Sequence, residues 1–243
     1  MDLRLTGGGT GEPLLLLLHG LGATADVWSG WAALLERHWP GRWLAPDLPG
    51  HGGSAPLPDY TFDALAEALL PLVPPTGPTV VLGHSLGGVV ALSLAARTPV
   101  TAVIGLGIKV TWTAEELARA QSLATRPVTW FDSRDEALTR HLRVSGLTGL
   151  LSDDPQGLDE RDGRWRLALD PRAFRVGAPD MPALLAKSPC TVTLARGEHD
   201  PMNTDAQLTA LGTPAVTLAN LGHNAHVENP EQCLTLLAPW CHP

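Results

Sequence analysis

The sequence predicts an α/β domain with a mostly parallel central sheet, helices on both faces and an inserted subdomain. Three observations support this prediction. Uninterrupted apolar runs such as 14–18 and 102–106 are typical of parallel strands that are buried on both faces. Segments with helical periodicity, such as 61–73, separate these runs. The length of 243 residues suits one such domain with room for an insertion.

Composition and charge exclude several classes of protein. The chain is 44% hydrophobic and 17% charged, so it can bury a substantial core and is not expected to be disordered. Its net charge of −8 argues against a nucleic-acid partner. Cys190, Cys233 and Cys241 lack metal-ligand spacing, so we expect reduced thiols in a cytoplasmic protein. The N-terminus lacks a signal-peptide pattern, and the longest apolar run is too short to cross a membrane.

The predicted elements of the core follow one another along the chain. The glycine-rich segment near the N-terminus lacks the Lys-Ser/Thr pair of a phosphate-binding loop, so we interpret it as a turn between two edge strands. Apolar periodicity, capping residues and prolines set the other boundaries. The elements are a strand at 3–5, a turn at 7–13, a strand at 14–18, a helix capped by Asp26 that reaches 35, a strand at 43–45, a helix at 61–73, and strands at 80–82, 102–106, 191–194 and 215–218, with a closing helix at 230–237.

The stretch 80–92 is the centre of the functional prediction. An apolar, β-branched run passes through Gly83-His84-Ser85-Leu86-Gly87 into a helix-forming run. G-x-S-x-G between a strand and a helix is typical of a nucleophile elbow, in which the serine has a strained backbone conformation. Glycines two residues before and after the serine let the strand and the helix approach closely. The pattern therefore predicts that Ser85 is a nucleophile.

Acyl chemistry at a serine needs two backbone N–H groups that stabilise the developing oxyanion. The residue after the nucleophile, Leu86, supplies the first in this arrangement. The second comes from a loop after an early strand, and Leu21 in His19-Gly20-Leu21-Gly22 is the best candidate. An ordinary strand-to-helix loop is the alternative.

A single histidine in a loop is more often structural, and we interpret His51 in that way.

A serine hydroxyl also needs a base, and the base needs a carboxylate that orients it. Asp200 and His223 each follow an apolar strand and complete the chain order Ser, Asp, His. We favour Asp200 over Glu198 because Pro201 suits a tight loop. His226 competes with His223 for the role of base.

The pair His223 and His226 also has the spacing of metal ligands. No further His, Cys or carboxylate cluster completes such a site, so we predict no metal and no cofactor. His84, next to the nucleophile, is expected to shape the elbow.

The segment 109–177 departs from the alternating pattern. Helices at 115–123 and 135–144 precede a hairpin about Asp162-Gly163. The segment holds 11 of the 17 basic and 11 of the 25 acidic residues, so its net charge is zero and the rest of the chain is acidic. An arginine-rich lid of this kind would recruit an anionic substrate, and an internally paired, solvated surface is the alternative. We predict a core at 1–108 and 178–243, a cap at 109–177, and a substrate pocket formed by four aromatic or imidazole side chains, His19, Trp112, Trp130 and Phe131.

Five motifs in this order resemble those of the α/β-hydrolase superfamily. They are residues 18–22, 47–54, 83–88, 197–200 and 222–230. The resemblance implies the α/β-hydrolase fold and a variable cap at 109–177. It also implies that the histidine directly after the glycine of the last motif, His223, is the base.

The chain resembles small carboxylesterases of the pimeloyl-ester esterase type and also the menaquinone-pathway lyase type. Members of the lyase type usually have arginine where this chain has Val89, which counts against a lyase, although Arg140 or Arg143 would be a substitute.

The resemblance therefore implies a serine hydrolase that cleaves a small carboxylic ester or related acyl compound through an acyl-enzyme. A triad-dependent lyase or C–C bond hydrolase acting on a carboxylate substrate is the alternative. A non-catalytic binding protein and a perhydrolase also stay open. We expect a small-molecule acyl substrate, no nucleic-acid or membrane partner, and a monomer or homodimer.

Overall fold

A computed structural model describes residues 2–241, so the ends of the predicted core at 1, 242 and 243 lie outside the described residues. Seven of the nine strands in the described part form one sheet, and the other two form a separate hairpin. The strands are β1 (Leu5–Gly8), β2 (Leu14–Leu18), β3 (Arg42–Pro46), β4 (Thr79–His84), β5 (Ala102–Leu106), β6 (Leu158–Arg161), β7 (Arg164–Leu167), β8 (Thr191–Gly197) and β9 (Ala215–Leu218).

The main sheet has the order β1-β3-β2-β4-β5-β8-β9. β1 runs antiparallel to β3, and every other neighbouring pair in this sheet is parallel. Parallel strands need a crossover between them, and these crossovers place helices on the faces of the sheet. The predicted α/β class with a mostly parallel sheet is confirmed.

The α-helices occupy both faces of the main sheet and the segment between β5 and β8. They are α1 (Ala32–His38), α2 (Phe62–Leu69), α3 (Leu86–Ala95), α4 (Ala114–Ala124), α5 (Arg134–Val144), α6 (Met181–Lys187), α7 (Asp205–Thr209), α8 (Ala225–Glu228) and α9 (Pro230–Leu234).

Alternate residues of β2 pack into two separate cores. Leu15 and Leu17 join an apolar cluster that contains Trp28 and Trp31, whereas Leu16 and Leu18 join the cluster on the opposite face, with α2 and α3. All five leucines of β2 are at most 1% exposed. A central parallel strand is buried on both faces, which is why β2 is an uninterrupted leucine run and has no polar alternation.

Two predicted elements differ from the structure. The strand predicted at 3–5 begins at Leu5 and continues through Gly8, where a turn was expected. A side chain at Gly7 would come within 2.5 Å of the Trp43 carbonyl oxygen, so glycine permits the close pairing with β3. The helix expected from Asp26 starts as a 3₁₀ turn at Ala25–Trp31, and Thr24 supplies the cap by accepting from the Asp26 N–H at 3.2 Å.

The segment 109–177, which we call the cap segment, contains α4, α5 and the β6–β7 hairpin. A buried carboxylate connects it to the core. Asp154 accepts a hydrogen bond from Thr24 at 3.1 Å, and its other oxygen lies 2.8 Å from Nε2 of His141. Burial acts to raise the pKa of Asp154, but the bonds from His141, Thr24 and Gly157 outweigh it and lower that pKa. The carboxylate is therefore kept charged at this contact.

None of the helices within 2–241 has the length and apolar character needed to span a bilayer.

Removing a β2 side chain should cost much more stability than the same change at the sheet edge. Leu16→Ala leaves a cavity in a fully buried strand and should lower the free energy of unfolding by about 2–5 kcal/mol. Leu5→Ala, at a position that is 43% exposed, should cost less than about 1 kcal/mol. Urea denaturation followed by tryptophan fluorescence measures both, and equal losses would contradict the assignment of β2 to the core.

Candidate active site

Ser85 occupies a strained turn between β4 and α3. Its backbone has φ of 50° and ψ of −113°, a region that side-chain-bearing residues rarely adopt. A Cβ at Gly83 would lie 2.2 Å from the carbonyl oxygen of Gly87, and one at Gly87 would lie 2.4 Å from that of Leu18. Both positions therefore need glycine. The Ser85 N–H donates to the Leu106 carbonyl at 2.8 Å, which ties the turn to the end of β5.

Two backbone N–H groups near this turn have no acceptor within the described part of the chain. Leu86 is the first residue of α3, where N–H groups lack intrahelical partners and the helix dipole is positive. Leu21 lies in the turn that follows β2. Neither N–H donates a hydrogen bond to another described residue. Both groups are thus available to an external acceptor.

Asp200 and His223 form a hydrogen-bonded pair. Nδ1 of His223 lies 3.0 Å from Oδ1 and 3.1 Å from Oδ2 of the carboxylate. The Asp200 side chain is completely buried, whereas the imidazole is 19% exposed. Because the carboxylate accepts, Nδ1 carries the proton, and the neutral form of the ring then has its lone pair on Nε2. This is the form that a histidine needs to act as a base.

The loop of Asp200 is held by a buried arginine that belongs to none of the five motifs. Arg196 donates to the carbonyls of Glu198 and Asp200 at 3.0 and 3.1 Å, and to the amide oxygen of Asn203 at 2.9 Å. Asn203 donates in turn to the Ile108 carbonyl at 2.8 Å. Glu198, the sequence alternative to Asp200, is exposed and accepts from the Asn220 N–H at 2.9 Å.

His84 connects the elbow to the loop of His223. Its Nε2 donates to the His223 carbonyl at 2.9 Å, and the two rings lie 4.7 Å apart. Burial, followed by the neighbouring imidazoles of His226 and His223, holds the pKa of His84 well below its ordinary value. A neutral ring that donates from Nε2 positions the backbone of residue 223 and fits the expected role in shaping the elbow.

His226 lies in a buried stack of rings. Its centroid is 4.3 Å from that of His84 and 4.6 Å from that of Trp28. Among the described residues, neither ring nitrogen has a hydrogen-bond partner. Burial, reinforced by His223 and His19, lowers the pKa of His226 to about 3. The carboxylate of Asp200 is bound to His223 and not to this ring.

His19 is placed differently from its predicted position in the pocket. It is fully buried, its Nδ1 donates to the Gly20 carbonyl at 2.8 Å, and its Nε2 accepts from the Leu48 N–H at 2.8 Å. Burial lowers its pKa to about 4. Since both nitrogens are engaged by backbone groups, His19 braces the loop that carries Leu21. His51 is also buried, and its backbone forms a bridge to Leu169 of the cap segment.

Two of the four predicted pocket residues, Trp130 and Phe131, lie together in the cap segment. A cavity of about 320 Å³ is lined by residues from α4, α5, β7 and the segments before and after the hairpin. Phe131 lines this cavity, and Trp130 and Phe131 both line an adjoining open one. Trp112 is instead held by its own turn, where Nε1 donates to the Lys109 carbonyl at 3.1 Å. The inner cavity is lined by Arg119, Leu123, Arg126, Pro127, Val128, Thr129, Phe131, Arg140, Arg143, Val144, Leu167, Leu169, Pro171 and Phe174.

The strand order, the elbow and the buried acid–histidine pair together define one fold class, which an independent comparison of the sequence also finds. A family model described as the alpha/beta hydrolase family matches residues 15–236. The chain therefore belongs to the alpha/beta hydrolase family. The resemblance drawn from the five motifs is confirmed at this level.

Curated relatives share a shorter stretch with the chain. A pimeloyl-[acyl-carrier protein] methyl ester esterase from Aromatoleum aromaticum is 47% identical over 88 residues, which are 36% of this chain and 33% of that protein. A magnesium-chelatase 30 kDa subunit from Rhodobacter capsulatus is 42% identical over 98 residues, or 39% and 34% of the two chains. A lipase from Mycobacterium tuberculosis is 40% identical over 95 residues, or 38% and 35%. Each match spans about a third of the relative's length.

Solved structures resemble the chain over nearly its whole length. An E-2-(acetamidomethylene)succinate hydrolase has a TM-score of 0.79 at 21% identity, covering 98% of this chain and 95% of that one. The thioesterase domain from a curacin biosynthetic pathway has a TM-score of 0.77 at 19% identity, covering 97% and 95%. At such identities these similarities establish the fold.

The buried histidines should make stability fall as the pH is lowered. The folded-state pKa values of His19, His51 and His226 are about 4, 3 and 3, against an ordinary value of 6.5. Between these limits the unfolded chain binds more protons, so stability is complete above 6.5 and is lost as the pH falls toward the folded-state values. Each histidine should contribute on the order of 1–2 kcal/mol between pH 7 and 5.

Urea denaturation at pH 7, 6 and 5 measures this dependence. His226→Phe keeps an aromatic ring in the stack and should make the loss shallower, whereas the exposed His38→Phe should leave it unchanged. Equal slopes for the parent chain and the His226 variant would contradict the interpretation of His226 as a neutral buried ring.

Proposed function

We propose that the protein is a serine hydrolase that cleaves a small carboxylic ester or related acyl compound through an acyl-enzyme. One observation supports the proposal: the loop that carries His223 is hydrogen-bonded to the Ser85 elbow. His84, which directly precedes Ser85, donates to the His223 carbonyl. The backbone N–H of Ser85 donates to the Leu106 carbonyl. Gly107 follows Leu106, and a Cβ atom there would lie 3.3 Å from both the Asp200 carboxylate and Nδ1 of His223.

In the proposed reaction, Ser85 Oγ attacks the carbonyl carbon of the ester while His223 Nε2 accepts its proton. The carbonyl oxygen becomes negative and accepts from the N–H groups of Leu21 and Leu86. His223 then donates the proton to the departing alcohol. Water attacks the acyl-enzyme with His223 again as the base, and Asp200 stabilises the imidazolium in both halves.

Similarity supports this chemistry. Two of the curated relatives described above bear names that denote ester hydrolysis, the methyl ester esterase and the lipase. The shared stretch is about a third of each relative, so the acyl and alcohol groups that this chain accepts are not carried over from them. A small-molecule substrate and a cofactor-free site belong to the same proposal.

A triad-dependent lyase or C–C bond hydrolase is the second candidate. It is favoured by the position of Arg140 and Arg143, which line the cavity in the cap segment where a substrate carboxylate would be held. In such an enzyme the three side chains move a proton without an acyl-enzyme. Turnover of a carboxylate substrate without labelling of Ser85 by a fluorophosphonate would favour this candidate.

Ser85→Ala should reduce the hydrolysis of p-nitrophenyl butyrate by roughly 10⁴-fold or more, because it removes the attacking oxygen. It should also abolish covalent labelling by a fluorophosphonate. Urea denaturation of the variant checks that the fold is intact. Turnover that survives in a folded Ser85→Ala protein would reject the acyl-enzyme mechanism.

His223→Ala and His226→Phe should separate the two candidate bases. Loss of the base should lower kcat for p-nitrophenyl butyrate by about 10³-fold or more. The His226 variant keeps the ring stack and should retain kcat within about tenfold. The reverse ranking, with both variants folded at pH 7.5, would transfer the role of base to His226.

A further inference from the structure

The arginines of the cap segment fall into two groups. Of the ten in 109–177, five form ion pairs with carboxylates: Arg134, Arg161, Arg166, Arg172 and Arg175. Within the described part of the chain, the other five form none. Arg164 lies over the ring of Trp130, at 5.7 Å from its centroid. The remaining four all line the 320 Å³ cavity, and we call them the cavity arginines: Arg119, Arg126, Arg140 and Arg143.

Like charges that share a cavity repel one another, and pairing with local carboxylates is the usual way to relieve this. The cap segment does so for five of its other six arginines, but not for these four. Arg140 and Arg143 lie three residues apart on α5, a spacing that places both on one face of the helix. A guanidinium is planar, permanently charged and suited to bidentate bonds with carboxylate or phosphate oxygens. All four cavity arginines are solvent-exposed, so water screens their mutual repulsion, and their guanidinium groups are free to bind an external anion.

Apart from Thr129, the rest of the cavity wall is apolar, and two of its residues lie against loops of the core. Val144 contacts the loop of Leu21, because a side chain at Gly22 would come within 2.9 Å of its Cγ1 atom. Leu169 forms a backbone bridge with His51. Leu21, Leu86, Val144 and Leu169 belong to one apolar cluster. Val144 and Leu169 thus line the cavity and also lie against the loops of Gly22 and His51, next to the predicted site.

We propose that this cavity binds an ester whose negatively charged group, a carboxylate or a phosphate, lies several bonds from the scissile carbonyl. The inference rests on the proposed function and gives it a substrate class. The apolar wall packs against the part of the substrate between the scissile carbonyl and the charged group, and the cavity arginines bind the anion. The ester carbonyl is then directed toward Leu21 and Ser85.

Carboxylates at the outer side do not cancel this charge. Asp132, Asp135 and Glu136 line the adjoining cavity of about 510 Å³, which shares Arg140 and Arg143 with the inner one. Arg119 and Arg126 line the inner cavity alone. None of the three acids forms an ion pair with a cavity arginine among the described residues. The outer cavity is accordingly mixed in charge, and the inner one is positive.

Matched substrates test the proposal in two arms that distinguish the source of the charge. The first compares monomethyl adipate with methyl hexanoate, which have the same acyl length and differ in a terminal carboxylate. The second compares the hexanoyl thioesters of 4′-phosphopantetheine and pantetheine, which differ only in a phosphate. We expect kcat/KM to favour the charged member by at least about tenfold in one arm.

Arg140→Gln and Arg143→Gln should each reduce that preference by roughly tenfold, mainly by raising KM for the charged substrate. Arg161→Gln is the matched control, because it removes the same charge from an exposed position outside the cavity. It should leave the preference unchanged. Added salt should weaken the preference in the parent protein.

Binding measured without catalysis keeps the test independent of the proposed function. Calorimetry with the Ser85→Ala protein should detect adipate, and the Arg143→Gln change in that background should weaken its affinity by roughly tenfold. Equal kcat/KM for charged and neutral substrates in both arms, or equal losses on both in the arginine variants, would overturn the inference while leaving ester hydrolysis intact. If the parent protein hydrolyses no ester, the proposed function fails, and the calorimetric result alone decides whether the cavity binds an anion.

Discussion

The site depends on one constraint, the close approach of three backbone segments at the turn that carries Ser85. A residue with a side chain at φ of 50° costs on the order of 1–3 kcal/mol and persists only where its surroundings fix it. β4 and α3 do this, because β4 is buried throughout and every residue of α3 is buried. At Gly83 and Gly87 there is no room for a Cβ atom, so glycine lets strand, turn and helix pack closely. The serine is therefore held in place by the core, since its hydroxyl forms no hydrogen bond with another residue in the described part of the chain.

Around that turn, rigidity comes from backbone carbonyls that buried side chains bind. His84 donates to residue 223, Arg196 to residues 198 and 200, and Asn203 to residue 108. Each bond satisfies a carbonyl that would otherwise be costly to bury. Loops at the carboxyl ends of parallel strands have few regular hydrogen bonds, so these side chains replace them. The Asp200–His223 pair thus belongs to a preorganised loop cluster.

Much of the fold was predictable from the sequence, because burial and period are local properties. The leucine run of β2, the apolar run of β5 and the hairpin about Asp162-Gly163 lie where the patterns placed them. The pairing of Gly7 and Gly8 with β3 was not, since a strand of glycines has no pattern and depends on its partner. The cap by Thr24 was also missed, because adjacent capping residues differ only in backbone geometry.

The chain order of Ser85, Asp200 and His223 was also readable from motifs, and their catalytic roles stay predictions. The supporting residues were not readable in the same way. Arg196 and Asn203 act on loops distant in sequence, so no spacing rule indicates them. His19 follows a strand and precedes the predicted oxyanion loop, but only the fold shows that its nitrogens face the backbone. Ion pairing within the cap segment likewise depends on three-dimensional neighbours.

The contact between Asn224 and the cap segment has a mechanical consequence. Asn224 follows His223 directly and donates to the Gly146 carbonyl at 3.0 Å, just beyond the end of α5. Arg140 and Arg143 lie in the same helix. Opening at this end of the cap segment must either break that bond or pull on the loop beside it. A displacement of this end of the cap segment would therefore be transmitted to the backbone beside His223 through the Asn224 amide.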